Sequence, residues 1–308
     1  MNTRLLVFLT TAREGHLTGA ARQLNLSISA VSHQISQLEA DFATPLFIRG
    51  NRGMRLTPAG ETLFQYANQI EAIWQKAYRD VRQKAANEQR IHLSASYTAT
   101  EYLLPGPLGL FRNTYPTVHL YLNMSNSTDV INQVETGQVD FGIAEGRIGH
   151  RQLHVTELWD DRLGVIVSQN HPWANNASVS LSDVLHSEII LREEGSGTRS
   201  ILQADLQHHN MDISDLHIIA ELSSMRAILS LVANEVGIAI LSALVTHDHP
   251  GVRFIPIDGL QLTRKIHLIY RESDDMDPMM DRLIQMLTRT AKQFNKVLLG
   301  EQKNPPQE

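Results

Sequence analysis

Apolar side chains recur at helical spacing along the N-terminal part of the chain. Residues 2–14 carry one such stripe, and two shorter helical segments follow it. We predict that Thr18 caps the second helix and that Ser27 caps the third, because a hydroxyl at that position accepts a hydrogen bond from the first turn. The predicted apolar face of the third helix consists of Ile28, Val31, Ile35 and Leu38.

Two short helices joined by a tight connection predict a helix-turn-helix motif. Residues 45–56 then form two short apolar strands around a Gly/Asn turn, and this segment contains Arg49, Arg52 and Arg55. The pattern is typical of a basic β-wing. The alternative is an ordinary helical bundle with a surface hairpin, which the concentration of arginines disfavours.

A long amphipathic helix is predicted from about residue 58 to residue 86. Thr57 and Pro58 suit its start, since a capping hydroxyl and a proline at the first helical position are both favourable there. At about 1.5 Å per residue the helix would be ~40 Å long, and its single apolar stripe needs a partner. The same helix of a second copy is the simplest partner, and packing on its own chain is the alternative. The stripe consists of Leu63, Ala67, Ile70, Trp74, Ala77 and Val81.

Strand-like and helix-like segments alternate after a polar boundary at residues 85–90, which predicts an α/β fold with largely parallel sheets. The length of this part favours two lobes, with the chain crossing near residue 162 and returning near residue 265. The predicted strands are 91–96, 118–124, 139–144, 163–167, 188–191, 216–221, 237–241, 253–257 and 265–270. The predicted helices are about 102–113, 127–136, 198–209, 224–235 and 277–299.

Charge is distributed unevenly along the chain. The 308 residues include 27 Lys+Arg and 33 Asp+Glu, and the net charge of −6 by itself argues against a nucleic-acid partner, because phosphate binding needs cations. Residues 1–90, however, hold 11 basic and 7 acidic residues, a balance of +4, which leaves −10 for residues 91–308. The segment with the predicted helix-turn-helix is therefore basic.

The composition excludes several classes of protein. The chain has no cysteine, so it has no disulfide framework, thiolate metal site or thiol nucleophile. The short apolar run at the start lacks a small-residue cleavage site, and no stretch reaches the roughly 20 apolar residues of a membrane span. We expect a soluble, cytoplasmic protein without a signal peptide, with a disordered tail at residues 301–308.

Four blocks of sequence follow one another along the N-terminal part of the chain. They are residues 20–24 (AARQL), 29–39 (SAVSHQISQLE), 45–49 (PLFIR) and 56–60 (LTPAG). In this order and spacing the blocks resemble the LysR-type transcriptional regulators, and the resemblance covers essentially the whole chain. The departures are Ile28, where the family commonly has a DNA-contacting glutamine, His16 in place of a serine, and residues 41–43, which lack the usual glycine. These departures affect which operator sequence is recognised.

The resemblance implies an N-terminal all-α winged helix-turn-helix domain, followed by an α/β effector domain with two lobes like those of periplasmic binding proteins. The implied domains are a DNA-binding domain at 1–58, a dimerisation helix at 59–88 and an effector domain at 89–300. Lobe I comprises about 89–162 and 266–300, and lobe II about 163–265. The implied assembly is a homodimer that associates into a homotetramer, with promoter DNA and a small effector as partners, no cofactor and no membrane.

The implied DNA contacts fall into two groups. Residues that touch phosphates fix the register of a protein on DNA, and residues that reach the major groove read the bases. We expect Thr18, Ser32, Arg49 and Arg52 to contact phosphates. We expect Ser29, His33 and Gln34 to enter the major groove, with shielding of the helix surface as the alternative role of His33.

The implied effector site collects hydroxyls and one arginine between the lobes. Residues 96–100 follow the first strand of the lobe, where a sheet presents ligand-facing loops, and residues 193–199 lead into a helix whose positive end favours anions. We expect a small, anionic effector here. Simple helix capping, and pairing of Arg199 with a carboxylate, is the alternative. The expected effector residues are Ser96, Thr98, Thr100, Ser127, Ser196, Thr198 and Arg199.

No constellation typical of an enzyme or of a metal site is visible. The turn at 195–197 is not a Gly-x-Ser-x-Gly nucleophile elbow, and neither phosphate-binding glycine motif is present. We interpret His208-His209, His247 and His249 as solvated loop residues and Asp160-Asp161 and Asp274-Asp275 as turn or cap residues. The 195–199 turn resembles regulators of carbon fixation and of sulfur oxyanion metabolism. The alternative function is a cytoplasmic small-molecule binding protein whose N-terminal helices serve oligomerisation.

Overall fold

The structure, a computed structural model, describes residues 2–50, 53–86, 89–146, 148–149, 153–260, 262–271 and 276–301, without the side chains of residues 49, 79–80, 82–86 and 296–301. The chain divides into an N-terminal unit that reaches residue 87 and a larger unit formed by most residues from 88 onward. Among the described residues, none of the helices has both the length and the apolar character needed to cross a membrane.

Three short helices, a two-stranded hairpin and one long helix form the N-terminal unit. Its core is apolar and contains Phe8, Leu9, Val31 and Leu46. In chain order the elements are α1 (Thr3–Glu14), α2 (Leu17–Leu24), α3 (Ile28–Asp41), β1 (Phe47–Gly50), β2 (Gly53–Leu56) and α4 (Pro58–Ala86).

Two details of the predicted helix-turn-helix differ in the structure. Thr18 does not cap α2, because His16 occupies the N-cap position and its Nδ1 accepts a hydrogen bond of 3.0 Å from the Gly19 N–H. Ile28 does not join the buried face of α3: it is the first helical residue and is 49% exposed. The cap of α3 is confirmed, since the Ala30 N–H donates to Ser27 Oγ at 3.1 Å.

The hairpin is attached to the helices through backbone groups. The backbone N–H groups of Leu46 and Phe47 donate to Glu39 Oε1 at 2.8 and 3.2 Å, and the Met54 N–H donates to the Gly15 carbonyl at 2.7 Å. Gly53 has φ +121°, a backbone conformation that a residue with a Cβ adopts only with strain. The orientation of the hairpin is therefore determined by α3 and by the turn before α2.

Two lobes of alternating strands and helices form the larger unit. Its elements are β3 (Gln89–Ala95), α5 (Pro105–Thr114), β4 (Val118–Met124), α6 (Ser127–Glu135), β5 (Phe141–Glu145), β6 (Leu153–Ser168), β7 (Val179–Ser180), α7 (Leu181–Leu185), β8 (Ile189–Arg192), α8 (Gly197–His208), β9 (Ile218–Leu222), α9 (Met225–Ala233), β10 (Ile238–Ser242), β11 (Val252–Ile255), β12 (Ile257–Asp258), β13 (Thr263–Arg271) and α10 (Pro278–Glu301). A π-helical turn at Ala99–Leu103 precedes α5.

Strand β6 belongs to both lobes. Residues 153–162 pair antiparallel with β13, and residues 163–168 pair antiparallel with β10 and β11. The strand order is β4-β3-β5-β13-β6-β10-β8-β9, with parallel pairing of β4, β3 and β5 in the first lobe and of β10, β8 and β9 in the second. The sheets are thus mixed, because the strands that link the lobes are antiparallel.

Each lobe has its own apolar core. Phe111, Phe141 and Trp159 are buried in the first lobe, and Val165 and Leu206 are buried in the second. At the carboxyl ends of the parallel strands, buried polar side chains replace the apolar ones, as with Ser96 after β3 and Glu145 at the end of β5.

Candidate DNA interface and interlobe cleft

The predicted base-reading residues lie on the surface of α3. Ser29 and His33 are exposed, and Ser32 and Gln34 are half-buried. Ser29 Oγ lies 2.9 Å from Ser27 Oγ, next to the helix cap, and the exposed His33 is 2.9 Å from Gln37 through Nε2 atoms. The outer face of α3 therefore presents short polar side chains that can donate and accept hydrogen bonds.

The predicted phosphate-binding residues outside α3 lie on α2 and on the hairpin, and the structure describes only some of their side chains. Thr18 is exposed at the second position of α2. The backbone of Arg49 lies in β1, whereas its side chain and all of Arg52 lie outside the described residues. Arg55, on the paired strand β2, is exposed. The described hairpin thus presents a basic side chain to solvent.

The apolar stripe of α4 has two parts. Leu63 and Ala67 pack on the core of the N-terminal unit, so packing on the same chain accounts for the first turns. Further along, large apolar side chains are exposed to 47–69% in the single chain. This second part fits an interface with another copy. Its exposed side chains are Ile70, Ile73, Trp74, Tyr78 and Val81.

A buried carboxylate organises the cleft between the lobes. Glu145, at the end of β5, accepts hydrogen bonds of 2.6 Å from Ser96 Oγ and from Ser127 Oγ. Burial by itself would raise the pKa of Glu145, but the charge of Arg264 and the two serine hydrogen bonds lower it below its ordinary value. Glu145 is therefore ionised and holds two of the predicted effector residues.

A buried arginine connects the two lobes. The Nε and Nη2 atoms of Arg264 are both 2.7 Å from Asp161 Oδ2, its direct cross-strand neighbour in the β6–β13 ladder. Nη1 donates to Thr198 Oγ1 of the second lobe at 3.0 Å, and Nη2 donates to Thr98 Oγ1 of the first lobe at 3.1 Å. Arg264 is only 4% exposed. Ser242 Oγ donates a further hydrogen bond of 2.7 Å to Asp161 Oδ1. We call the residues joined by these contacts the cleft network; they are Ser96, Thr98, Ser127, Glu145, Asp161, Thr198, Ser242 and Arg264.

Two further arginines lie near the cleft network, and each has a carboxylate partner. Arg192 is buried, forms two hydrogen bonds with Glu193 at 2.8 and 3.0 Å, and lies over the Tyr97 ring at 4.9 Å. Arg199, in the first turn of α8, is 2.7 Å from the exposed Glu221. The alternative that Arg199 pairs with a carboxylate is thus confirmed; the Arg199 side chain is 15% exposed, and that of Glu221 is 45% exposed.

The start of α8 lies against the first lobe. A Cβ at Gly197 would be 2.8 Å from both Glu145 Cβ and Ser127 Oγ, so glycine permits this close approach. Ser196 is buried at the N-cap position, but its hydroxyl makes no capping hydrogen bond. The alternative that Ser196 or Thr198 simply caps α8 is therefore wrong. The N–H groups of the first turn of α8 lack a hydroxyl cap.

The structure brings most of the predicted effector residues together. Ser96, Thr98, Ser127 and Thr198 belong to the cleft network, and their hydroxyls are hydrogen-bonded within the protein. Thr100 is half-buried, and its hydroxyl is 3.4 Å from the Ala95 carbonyl. It stands apart from the charged groups and contributes to the turn after β3.

The charged residues that hold these hydroxyls were not predicted from the sequence. The interpretation of Asp160 and Asp161 as turn or cap residues is wrong, because both lie inside β6. Asp161 pairs there with Arg264, and the half-buried Asp160 pairs with Lys265. Consecutive acidic residues opposite consecutive basic residues on the two linking strands could have indicated this register. Asp274 and Asp275 lie outside the described residues.

No metal centre is part of this arrangement. Over the described ranges, no group of three or more histidine, aspartate or glutamate side chains is placed to hold a metal ion. The cleft offers buried hydroxyls, ion pairs and a helix N-terminus, which suit recognition of a polar ligand. A winged helix-turn-helix joined to such a two-lobed fold defines the class of ligand-responsive DNA-binding regulators.

The chain belongs to the LysR family of transcriptional regulators. Residues 3–61 match the family described as "Bacterial regulatory helix-turn-helix protein, lysR family", and residues 84–292 match the "LysR substrate binding domain". The protein is accordingly a DNA-binding regulator with an effector domain, and not an enzyme. The alternative of a binding protein that does not contact DNA is not favoured.

Known proteins resemble this chain over most of its length. The probable RuBisCO transcriptional regulator of Porphyra purpurea is 32% identical over 274 residues, which are 86% of each chain. Full-length CbnR complexed with its target DNA aligns with a TM-score of 0.62 at 20% identity, over 94% of this chain and 100% of that one. The regulatory domain of Synechocystis PCC6803 CcmR in complex with 2-PG aligns with a TM-score of 0.61 at 23% identity, over 67% and 98%. The structural likenesses show the shared fold.

Proposed function

We propose that residues 1–58 bind promoter DNA, that residues 59–88 dimerise, and that residues 89–300 hold a small anionic effector between lobe I (about 89–162 and 266–300) and lobe II (about 163–265). The observation that carries this proposal is the cleft network, in which hydroxyls from both lobes converge on one buried arginine. An effector acts by binding one lobe arrangement more tightly than another, which changes the geometry of the attached DNA-binding domains.

The DNA contacts follow the division between phosphate and base recognition. Thr18, Ser32, Arg49 and Arg52 contact phosphates, and Ser29, His33 and Gln34 enter the major groove. The exposure of Ser29 and His33 on α3 supports this assignment. The exposed Ile28 adds an apolar contact suited to a thymine methyl group at the start of the helix.

Three features support an anionic effector. Arg199 is paired with Glu221, whose side chain is 45% exposed, so an anion can replace this carboxylate at small cost. The N-terminus of α8 carries N–H groups without a hydroxyl cap and a positive partial charge. Ser96, Thr98, Ser127, Ser196 and Thr198 supply hydroxyls around that position, and Thr100 supplies one from the turn after β3.

The assembly is proposed to be a homotetramer made of two dimers, located in the cytoplasm. The exposed apolar part of α4 supports the dimer, because so large a set of exposed side chains needs a partner. The likeness to a RuBisCO regulator supports an assignment to the carbon-fixation branch of the family.

The DNA assignment predicts a salt-sensitive complex with the chain's own upstream region. Replacing Arg49 and Arg52 with alanine is expected to weaken this complex and to lower the slope of log affinity against log salt by about 2, because two phosphate contacts are lost. Mobility shifts across a salt series measure both quantities. Arg112→Ala, which changes an exposed arginine of α5, is the control and should leave both unchanged. A slope equal to that of the unaltered protein would refute the role of the wing arginines.

The effector assignment predicts a thermal shift with at least one member of a panel of inorganic oxyanions, carboxylates and sugar phosphates. We expect Thr98→Ala and Arg199→Ala to lose most of that shift, since each removes a group that faces the ligand. Arg289→Ala, on the exposed side of α10, is the control. If both cleft variants keep the full shift, the cleft does not hold the effector.

A further inference from the structure

A second cavity lies in the effector unit, on the side of α8. Its volume is about 390 Å³, which is in the lower part of the ~300–1,000 Å³ range of small-molecule sites. Residues of both lobes line it, and none of the seven predicted effector residues does so. The residues that line the cavity include Ile148, Val155, Ile201, Ala204, Asp205 and His267.

Two buried polar atoms at this cavity lack hydrogen-bond partners. They are Asp205 Oδ2, on α8, and His267 Nδ1, on β13. Over the described residues only one other buried side-chain atom, Ser94 Oγ, is unpartnered, so two of three lie at one cavity. A buried acceptor without a donor costs free energy. Rotation of the Asp205 carboxylate and the His267 ring about their terminal bonds turns these acceptors toward the cavity, where a ligand that donates hydrogen bonds would recover that free energy.

The charges around the cavity favour a cation. Arg264 lines it but is neutralised by Asp161 and Glu145, and Lys265 is paired with Asp160 and with Glu157. Asp205 has no ion pair among the described residues. Among the described acidic and basic side chains that line the cavity, Asp205 is therefore the one without an oppositely charged partner.

The remaining atoms define the rest of the ligand. Burial lowers the pKa of His267, so its ring is neutral near pH 7 and Nδ1 can accept a hydrogen bond. Ile148, Val155, Ile201 and Ala204 form an apolar wall. A primary ammonium has three donors for these two acceptors, and a short hydrocarbon body would cover the wall.

We propose that this cavity is a second ligand site, specific for a small primary amine with an apolar body. The ammonium group donates to Asp205 Oδ2 and to His267 Nδ1, and the body packs on the side chains of Ile148, Val155 and Ile201. The proposal does not depend on the identity of the anionic effector, because none of the groups that would contact the amine is a predicted effector residue, although Arg264 borders both sites.

The test is calorimetry of the full chain with benzylamine, and with benzoate as a probe of similar shape and opposite charge. We expect benzylamine to bind at millimolar concentration and benzoate not to bind. Asp205→Asn, which keeps the shape and removes the charge, should weaken benzylamine by at least about tenfold, since a charge-assisted hydrogen bond is lost. Ala204→Leu should abolish binding by filling the cavity. Asp258→Asn, an exposed substitution on β12, is the control and should change nothing.

The variants remain informative because folding is measured separately. Asp205→Asn removes an unpartnered carboxylate, so its thermal midpoint without ligand should equal or exceed that of the unaltered protein. Absence of benzylamine binding to the unaltered protein, binding of benzoate instead, or benzylamine binding that survives both cavity variants would each overturn the proposal. Loss of binding in Thr98→Ala or Arg199→Ala would show that the amine occupies the effector cleft.

Discussion

Replacement of Arg264 by methionine is expected to lower the free energy of unfolding of the effector unit by about 3–5 kcal/mol. Arg264 is 4% exposed, and its guanidinium lies within hydrogen-bond distance of Asp161, Thr98 and Thr198. Methionine fills a similar volume but leaves two buried carboxylates, Asp161 and Glu145, without their cation. The loss arises mainly from that uncompensated charge and only partly from the missing contacts.

The neighbouring residue provides a matched control. Lys265 also pairs with a carboxylate on β6, but its side chain is 46% exposed, and an exposed pair contributes at most about 1 kcal/mol. Urea unfolding followed by circular dichroism compares Arg264→Met with Lys265→Met. Equal destabilisation by the two variants would contradict the role of Arg264 as the buried link between the lobes. Adding Glu145→Gln to Arg264→Met should recover part of the loss, because one of the two unpaired charges is then removed.

A protein carrying Ile70→Asp and Trp74→Asp is expected to be monomeric and to lose tight DNA binding. The two side chains are 47% and 55% exposed in the single chain, next to each other on the apolar part of α4. If this face pairs with a second copy, each substitution buries a carboxylate at the centre of the interface. Two central residues that each contribute at least about 2 kcal/mol correspond to a weakening of dimerisation by roughly a thousandfold.

Sedimentation velocity measures the oligomeric state, and mobility shifts measure the effect on DNA. A dimer reads two half-sites, so a monomer loses the gain from binding both at once. Gln75→Asp introduces the same charge at an exposed position of α4 away from the stripe and should leave the dimer intact. A double variant that remains dimeric with unchanged DNA affinity would exclude this face of α4 as the interface.

The elements with one clear periodicity were predictable from sequence. Strand β4 spans Val118–Met124, as predicted, and α8 differs from its prediction by one residue at each end. Thr57 caps α4 as expected, since its hydroxyl accepts from the Gly60 N–H at 3.0 Å. In these segments burial follows the local pattern of side chains, so the pattern identifies the element.

The predictions failed where the environment of a residue comes from distant parts of the chain. The first part of β6, residues 153–162, was missed because Glu157, Asp160 and Asp161 interrupt its apolar pattern. Arg264 and Lys265 are adjacent basic residues, yet one is buried between lobes and the other is exposed. Alternation along β13 places Arg264 on the same face as the buried Ile266. The carboxylates that pair with Arg264, however, belong to β5 and β6, and no local rule identifies these partners.

The same limit applies to the candidate site. The hydroxyls that flank the strands were found because their positions follow from the rule that ligands bind at the carboxyl ends of parallel strands. Glu145 was not found, since it ends a buried strand and resembles an ordinary boundary residue. The carboxylate that orients Ser96 and Ser127 therefore became visible only with the fold.

The continuity of β6 determines how the two lobes can move. Since one uninterrupted strand runs through both sheets and is laddered to β13, no flexible loop is available there as a pivot. A change in the angle between the lobes must then be taken up by the twist of these two strands, whose register already shifts between Ile266 and His267. Closure of the cleft would then be an elastic deformation of the two linking strands, which would return the lobes to their original angle when the effector leaves.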